Sequence, residues 1–458
     1  MTLNVAEHVS FERARENLDM KNPSSGSPVH LEHVVSIFPD HQAPDDTIWE
    51  NNSLQNPRNW SSSKKNAQIL MVAFHSMMGT FMAAGIIPAY DTFAEDYNIT
   101  VPDASYLTSF QILLLGLSPL IWNPITAIYG RYPVTLFSVF GSMICNIGGA
   151  RCTSYGAQMA TRVITAFLIS PPIGNGSGVI TELCEPEHRG KKLGWWTLMT
   201  TIGTPAGPFF MGFVIKNIGV QWIFWIFAII NLCQFLFYLA FGDETIYNPE
   251  NERQTTGVWG KMIPRKISSH SLKLQDIIAP FSLAQYPRIL IAACAHAITF
   301  CYANIALVVE MPIAFGEKFH FDAQQIGLQF IAIVIGCVLG EQVSGPMCDW
   351  FLGRVQHATT WNVTPCVGAA IASFGNQMQT TILTTFAVES KKERASQVGV
   401  FVNICRQIYG FLGPFYFPDM FTTLGLGGAS GVMVAVIAGC ALFPIMAVQF
   451  VASRSDKH

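Results

Sequence analysis

Charged residues lie inside several apolar stretches, where charge is costly. Arg162 sits in the apolar stretch 157–180, Glu341 in 326–347 and Arg406 in 398–418. At mid-membrane depth a charged side chain costs at least ~2.5–3.5 kcal/mol on insertion scales, so it turns towards a polar partner or a water-filled cavity. Arg162 is the first candidate for lining such a cavity and taking part in substrate or proton coupling. Its competing role is a structural cation held by backbone carbonyls of a neighbouring helix. Glu341 is a candidate proton carrier, against a paired residue near the membrane surface, and Arg406 divides in the same way. Asn304, Asn376 and Gln377 are neutral hydrogen-bonding groups suited either to a cavity wall or to gluing helices together. His75 and His296 each stand alone in an apolar stretch, where a histidine is more often a hydrogen-bonded core residue.

Other chemistries lack their residues. The sequence has no H-E-x-x-H, no G-x-S-x-G and no pair of aspartates within an apolar stretch, so a membrane-embedded enzyme is disfavoured. Its eleven cysteines are scattered, with no C-x-x-C and no Cys/His cluster at metal spacing, and no metal, cofactor or disulfide is expected. The net charge of −3 comes without a basic stripe interleaved with aromatics, and no nucleic-acid partner is expected.

The elements that must position these residues are membrane helices. Half of the 458 residues are hydrophobic and 12% are charged, against about 25% charged in soluble chains. A helix of ~20 apolar residues spans a bilayer core of ~30 Å. Eleven stretches qualify: 68–90, 106–128, 134–150, 157–180, 193–215, 221–241, 289–312, 326–347, 363–388, 398–418 and 428–451. The expected fold is therefore an all-α integral membrane protein. Residues 1–65 are polar, lack the apolar core of a signal peptide and read as a cytosolic disordered tail. A six-helix bundle over 66–242, a cytosolic loop over 243–288 and a five-span bundle over 289–458 complete the expected organisation.

Lysine and arginine set the orientation. With the N-terminus inside, Lys64, Lys65, Arg131, Arg189, Lys191, Lys192 and the basic residues of the central loop are cytosolic. Only Arg151, Lys216 and Lys318 then face outwards. Tyr90, Tyr106, Trp122, Trp222 and Trp225 fit interfacial aromatic belts. The halves also echo each other. Gly203-Thr-Pro-Ala-Gly207-Pro208 has a counterpart in Gly410-Phe-Leu-Gly413-Pro414, and the turn at Gly130-Arg131 corresponds to Gly345 through Asp349. Repeated halves with a binding site between them are a common transporter plan.

Several motifs, in order, resemble the major facilitator superfamily and, within it, the fungal drug:proton antiporter-like family of twelve-helix carriers. They are Asn56-Pro-Arg-Asn-Trp60 before the first helix, Pro124 through Val134 between helices two and three, and Arg162-Val-Ile-Thr-Ala166. The packing motif with Gly203, Gly207, Pro208 and Gly212 follows, then Glu244-Thr245-Ile-Tyr247. The resemblance covers nearly everything from Asn56 to Ser453. It implies a two-bundle carrier, in which Arg131 and Asp349 read as inner-gate charges; Glu182, Glu185 and Arg189 read either as gate contacts or as a solvated inner loop. Three residues depart from the pattern. Ala127 replaces an acidic residue, so Arg131 lacks a local partner; Tyr132 replaces a second arginine; and Met211 replaces a glycine, which should loosen packing on the fifth helix.

A fourth departure concerns topology. Helix eight ends near Asp349, and the resemblance resumes at Trp361 with the family's tenth helix. Only 350–360 lie between, too few for a spanning helix. Eleven helices are expected instead of twelve, the ninth being absent, with 350–360 an irregular linker running up the outside of the second half. The expected function is secondary active transport of a small organic molecule, outwards in exchange for protons. The carrier would be a monomer in the lipid of the plasma membrane. A carrier-derived solute sensor, or a shortened carrier deficient in transport, is the rival class.

Overall fold

Prolines and glycines decide where the long helices bend, and the bends create the polar partners of the interior. The structure, a computed structural model, describes residues 56–246, 272–342, 364–391 and 394–446, and no strand occurs among them. All belong to one compact unit, 47–453. The first half holds α1 (Ser62–Tyr97), α2 (Val101–Tyr129), α3 (Arg131–Gly149), α4 (Tyr155–Leu183), α5 (Pro186–Ile218) and α6 (Gln221–Phe241). In the second half, α7 runs from Pro287–Phe300 through a π-helical turn, Cys301–Ile305, into Ala306–Phe319. Then come α8 (Ala323–Gln342) and α9 (Thr364–Ser390). Ala395–Val436 is one hydrogen-bonded run in which Gly425, at φ 67°, separates α10 (395–424) from α11 (Gly427–Met446).

Eight of these are long and apolar enough to cross a membrane: α1, α2, α4, α5, α6, α7, α8 and α11. The remaining expected spans, α3, α9 and α10, are helical at comparable length, which is compatible with eleven helices. The chain is an all-helical integral membrane protein. α1 continues to Tyr97, past its expected end near 90, because only at Asn98 does the backbone turn left-handed, at φ 53°.

A proline has no N–H for the carbonyl four residues back, so each bend frees acceptors. In α4, Pro171 and Pro172 release the carbonyls of Phe167 and Leu168. The Trp122 indole donates to the first at 2.7 Å and the Ser138 hydroxyl to the second. Trp122 is thus an interior residue, 7% exposed, and not part of an interfacial belt. Tyr90 is also buried, its hydroxyl donating to Thr108 at 2.7 Å.

Two packing registers matter most. A Cβ on Gly203 would lie 2.4 Å from the Met77 carbonyl and one on Gly207 2.5 Å from the Phe81 carbonyl, so α5 touches α1 backbone to backbone. Met211 is buried over Gly85 and fills the room beside that contact, so packing is not loosened there. In the second half Gly410 and Gly413 bring α10 against Phe300 and Cys301 of α7, the counterpart of α5 on α1. The other register joins α8 to α9: Gly336 abuts Ala370 and Gly340 abuts Phe374. Both numbers rise together, so the two helices run parallel. The expected linker 350–360, and Asp349 beside it, lie outside the described residues.

Candidate functional site

Arg162 is held by the bend in α1. The regular first segment of α1 ends at Ala84 before Gly85, Ile86 and a single 3-10 turn, Ile87–Ala89, containing Pro88. This break leaves the carbonyls of Met82 and Ala83 without helical donors, and the Arg162 guanidinium donates to both at 2.8 Å. A cation at a helix C-terminal end also meets the negative end of the helix dipole. Arg162 is 2% exposed. It therefore stands one layer behind the molecule's central cavity, whose wall includes Ala83.

That narrow cavity lies between the halves. Thr80, Ala83, Thr108, Ile112, Leu115 and Thr204 line it from the first half. Phe300, Ile305, Val308, Val309 and Gln407 line it from the second. Arg406 also stands behind it, its guanidinium 4.7 Å from the Phe300 ring centroid and bonded to the Asn403 Oδ1 at 3.0 Å. Asn403 in turn donates to the Leu115 carbonyl across the halves at 3.0 Å.

The other sequence-derived candidates divide. Asn304 is in the π-helical turn of α7, a distortion that often marks functional sites. It is fully buried, and neither end of its amide has a hydrogen-bond partner among the described residues. Asn376 on α9 is in the same condition, while Gln377 donates to Thr381 at 3.3 Å. None of the three is among the cavity-lining residues. Glu341 is the penultimate residue of α8; its side chain lies outside the described residues. Cavity residues that sequence reasoning passed over are Thr80, Thr108, Thr204 and Gln407. The available signal was the shared face of Thr108, Gln111, Ile112 and Leu115 at helical spacing, with polar residues amid apolar ones.

The gate charges are assembled at one end. Arg131 grips both carboxylate oxygens of Glu182, one bond at 2.7 Å, so α4 supplies the acidic partner missing from position 127. Its guanidinium also reaches the Thr245 hydroxyl at 3.2 Å. Glu244 caps α3 by accepting from the backbone N–H groups of Arg131 and Tyr132 at 3.1 and 3.0 Å. Arg189 reaches the Thr181 carbonyl at 3.4 Å and Arg58 the Glu182 carbonyl at 3.3 Å. Beside them the halves meet: Ser177 donates to the Ala395 carbonyl at 3.1 Å, and Ser396 to Asn123. Arg394, bonded to Ser282 at 3.0 Å, belongs to the same end.

At the opposite end a Cβ on Gly212 would lie 2.5 Å from the Ala323 carbonyl, so α5 also packs on α8. There Lys216 and Asp322 form an ion pair of 2.7 Å between the halves. Gly203 and Gly207 thus pack within the first half, whereas Gly212 packs between halves and the Pro208 carbonyl abuts Gly327.

Helices of both halves, in contact at two ends and lining a narrow cavity between them, have a counterpart in sequence. The profile of the Major Facilitator Superfamily fits residues 69–414. The chain belongs to the major facilitator superfamily. It is an integral, multi-pass membrane transporter and not an enzyme. Within this family it is similar to a "Probable efflux pump mfs2" of Aspergillus flavus, 26% identical over 78% of this chain and 94% of that one. An "Uncharacterized transporter" of Schizosaccharomyces pombe is 23% identical over 87% and 90% of the two chains. In fold it resembles the crystal structure of the human organic anion transporter MFSD10, with a TM-score of 0.58 and 14% identity over 83% of this chain. The alignment to mfs2 runs over 414 positions yet takes in 78% of this chain's 458 residues, about 357, so about 57 of its positions have no counterpart here.

Proposed function

We propose that the chain is a secondary active carrier that exports a small organic molecule in exchange for protons, by alternating access. The observation that carries this reading is the cavity lined from both halves and shut at both ends, by Ser177–Ala395 at one and Lys216–Asp322 at the other. Opening one end at a time would expose the cavity first to one side of the membrane and then to the other. The bias of basic residues supports a cytosolic position for the end bearing Lys64, Arg131 and Arg394, and with it a cytosolic N-terminus. A monomer in the plasma membrane, surrounded by lipid, is the simplest working unit.

In this reading Arg131, Glu182, Arg189 and Asp349 bias the cytosolic gate. Arg162, Arg406, Asn304, Asn376, Gln377 and Glu341 belong to the substrate and proton pathway. Unpaired polar atoms at membrane depth cost several kcal/mol each, so Asn304, Asn376 and the Nδ1 of His296, all without partners among the described residues, would gain water or substrate when the second half opens. The test is flux of a radiolabelled substrate candidate in sealed vesicles holding the 458-residue protein. Uptake into inside-out vesicles should require an imposed proton gradient and collapse with a protonophore. Binding without gradient-driven flux would instead make the protein a solute sensor or a transport-deficient carrier.

A further inference from the structure

The cavity between the halves is the substrate pathway in the reading above, and the inference drawn from it rests on that reading. Two buried amides have unmet hydrogen bonds here, Gln407 in the cavity wall and Gln111 behind it. Gln407 lines it, is 2% exposed, and its Oε1 has no partner among the described residues. Gln111 is fully buried, and neither end of its amide has a partner among them. By register it shares the α2 face of Thr108, Ile112 and Leu115, which lines the cavity. α2 and α10 run antiparallel, with Gly116 against Gln407 and the Phe110 ring 5.5 Å from that of Phe411. Gln111 therefore stands about one helical turn, ~5.4 Å, from the level of Gln407.

The rest of the wall is apolar apart from the hydroxyls of Thr80, Thr108 and Thr204. Thr80 spends its hydroxyl on the Thr200 and Met77 carbonyls. Among the described residues no charged side chain lines the cavity. An ionic ligand would lose its water there without a counter-charge, whereas a neutral one with a single polar group would lose little. We propose that the pathway recognises an uncharged, largely apolar molecule bearing a hydrogen-bond donor, received by Gln407 Oε1 with Gln111 as the second contact from the other half. A buried acceptor left unpaired penalises any analogue that lacks the donor. One amide from each half also lets the ligand tie the halves together.

Equilibrium dialysis of the purified full chain in detergent tests this with 2-naphthol, its methyl ether 2-methoxynaphthalene, tetraphenylphosphonium and naphthalene-2-sulfonate. The naphthol should bind about tenfold more tightly than the ether, and neither ion should compete with it. Gln407→Leu should bring the ratio within about twofold, and Gln111→Leu should lower it separately. Gln234→Leu serves as the control: Gln234 is also buried and without a partner among the described residues, but is not among the cavity-lining residues, so the ratio should persist. Equal affinity for naphthol and ether, tighter binding of either ion, no binding of any probe, or an unchanged ratio in Gln407→Leu would overturn the inference. Selective binding of naphthol without gradient-driven flux would instead remove the export reading and leave the recognition site standing.

Discussion

Arg162 shows how far a single residue can be read without its surroundings. An arginine amid apolar residues demands a partner, and that much was visible in the chain. Its partners, the Met82 and Ala83 carbonyls, are acceptors made available by a bend in another helix, which no spacing around Arg162 reveals. The same holds for Gln111 and Gln407, which look like Gln377 until the register of α2 on α10 is known. Charge-assisted hydrogen bonds of this kind are worth ~1.5–3 kcal/mol each. Arg162→Ala should therefore cost about 3 kcal/mol of stability and lower the thermal midpoint of the purified protein. Arg162→Lys should recover part of the loss, because an ammonium replaces the planar fork of donors. If Arg162 also couples protons to transport, flux per folded molecule should fall in the alanine variant. A normal midpoint in that variant would show that the two bonds do not hold the bend.

Among elements, α5 was the most legible and the most incompletely read. Its Gly/Pro run announced close packing, but not that Gly203 and Gly207 face α1 while Gly212 faces α8 in the other half. The ion pair beside that contact was invisible, since Lys216 and Asp322 are far apart in sequence. Asp322 caps α8, its Oδ1 accepting from the Gln325 N–H at 2.9 Å. The hydrogen bond from Lys216, together with backbone N–H donors, holds its carboxyl below the usual range. A lowered carboxylate pKa stabilises the paired state above the ordinary value of ~3.9, and the gain is lost as pH falls through the lowered value. Closure of this end should thus be insensitive to pH from neutrality to about 4 and weaken below it. Both side chains are substantially exposed, so the pair is worth only ~0.2–1 kcal/mol. Asp322→Asn keeps the cap and deletes the charge. It and Lys216→Ala should each raise the open population about twofold, and the double variant no further. Distances between spin labels at Asn217 and Gln324 measure this. Additive effects in the double variant would mean that the two residues act separately.

For the whole molecule, the two-half plan followed from the apolar runs and repeated motifs, but the direction of α9 had to come from packing. With Gly336 beside Ala370 and Gly340 beside Phe374, Thr364 lies level with residue 330 and Gln342 level with residue 376. The chain must therefore regain twelve residues of helix, ~18 Å, between those ends. Lys391 lies 4.6 Å from the Tyr286 ring, just before α7, and Arg394 reaches Ser282, so the far end of α9 belongs with the basic face. This fits the arrangement that the resemblance implies for helices eight and ten, with a ninth between them. The demand is smaller than ~30 Å over eleven residues, because 343–363 are available. Those residues include Pro346, Asp349, Arg354 and His357, and a lipid-facing span of ~20 apolar residues cannot be drawn from them. About 57 positions of the Aspergillus flavus relative are without counterpart here and leave room for a missing span. Transcripts should therefore carry additional in-frame coding sequence between Arg354 and Trp361, enough for ~20 apolar residues. Restoring it should raise gradient-driven flux above that of the 458-residue form at equal expression. Transcript sequencing together with the vesicle assay decides the matter: an uninterrupted transcript and robust transport by the 458-residue protein would show that the family's ninth helix is dispensable here.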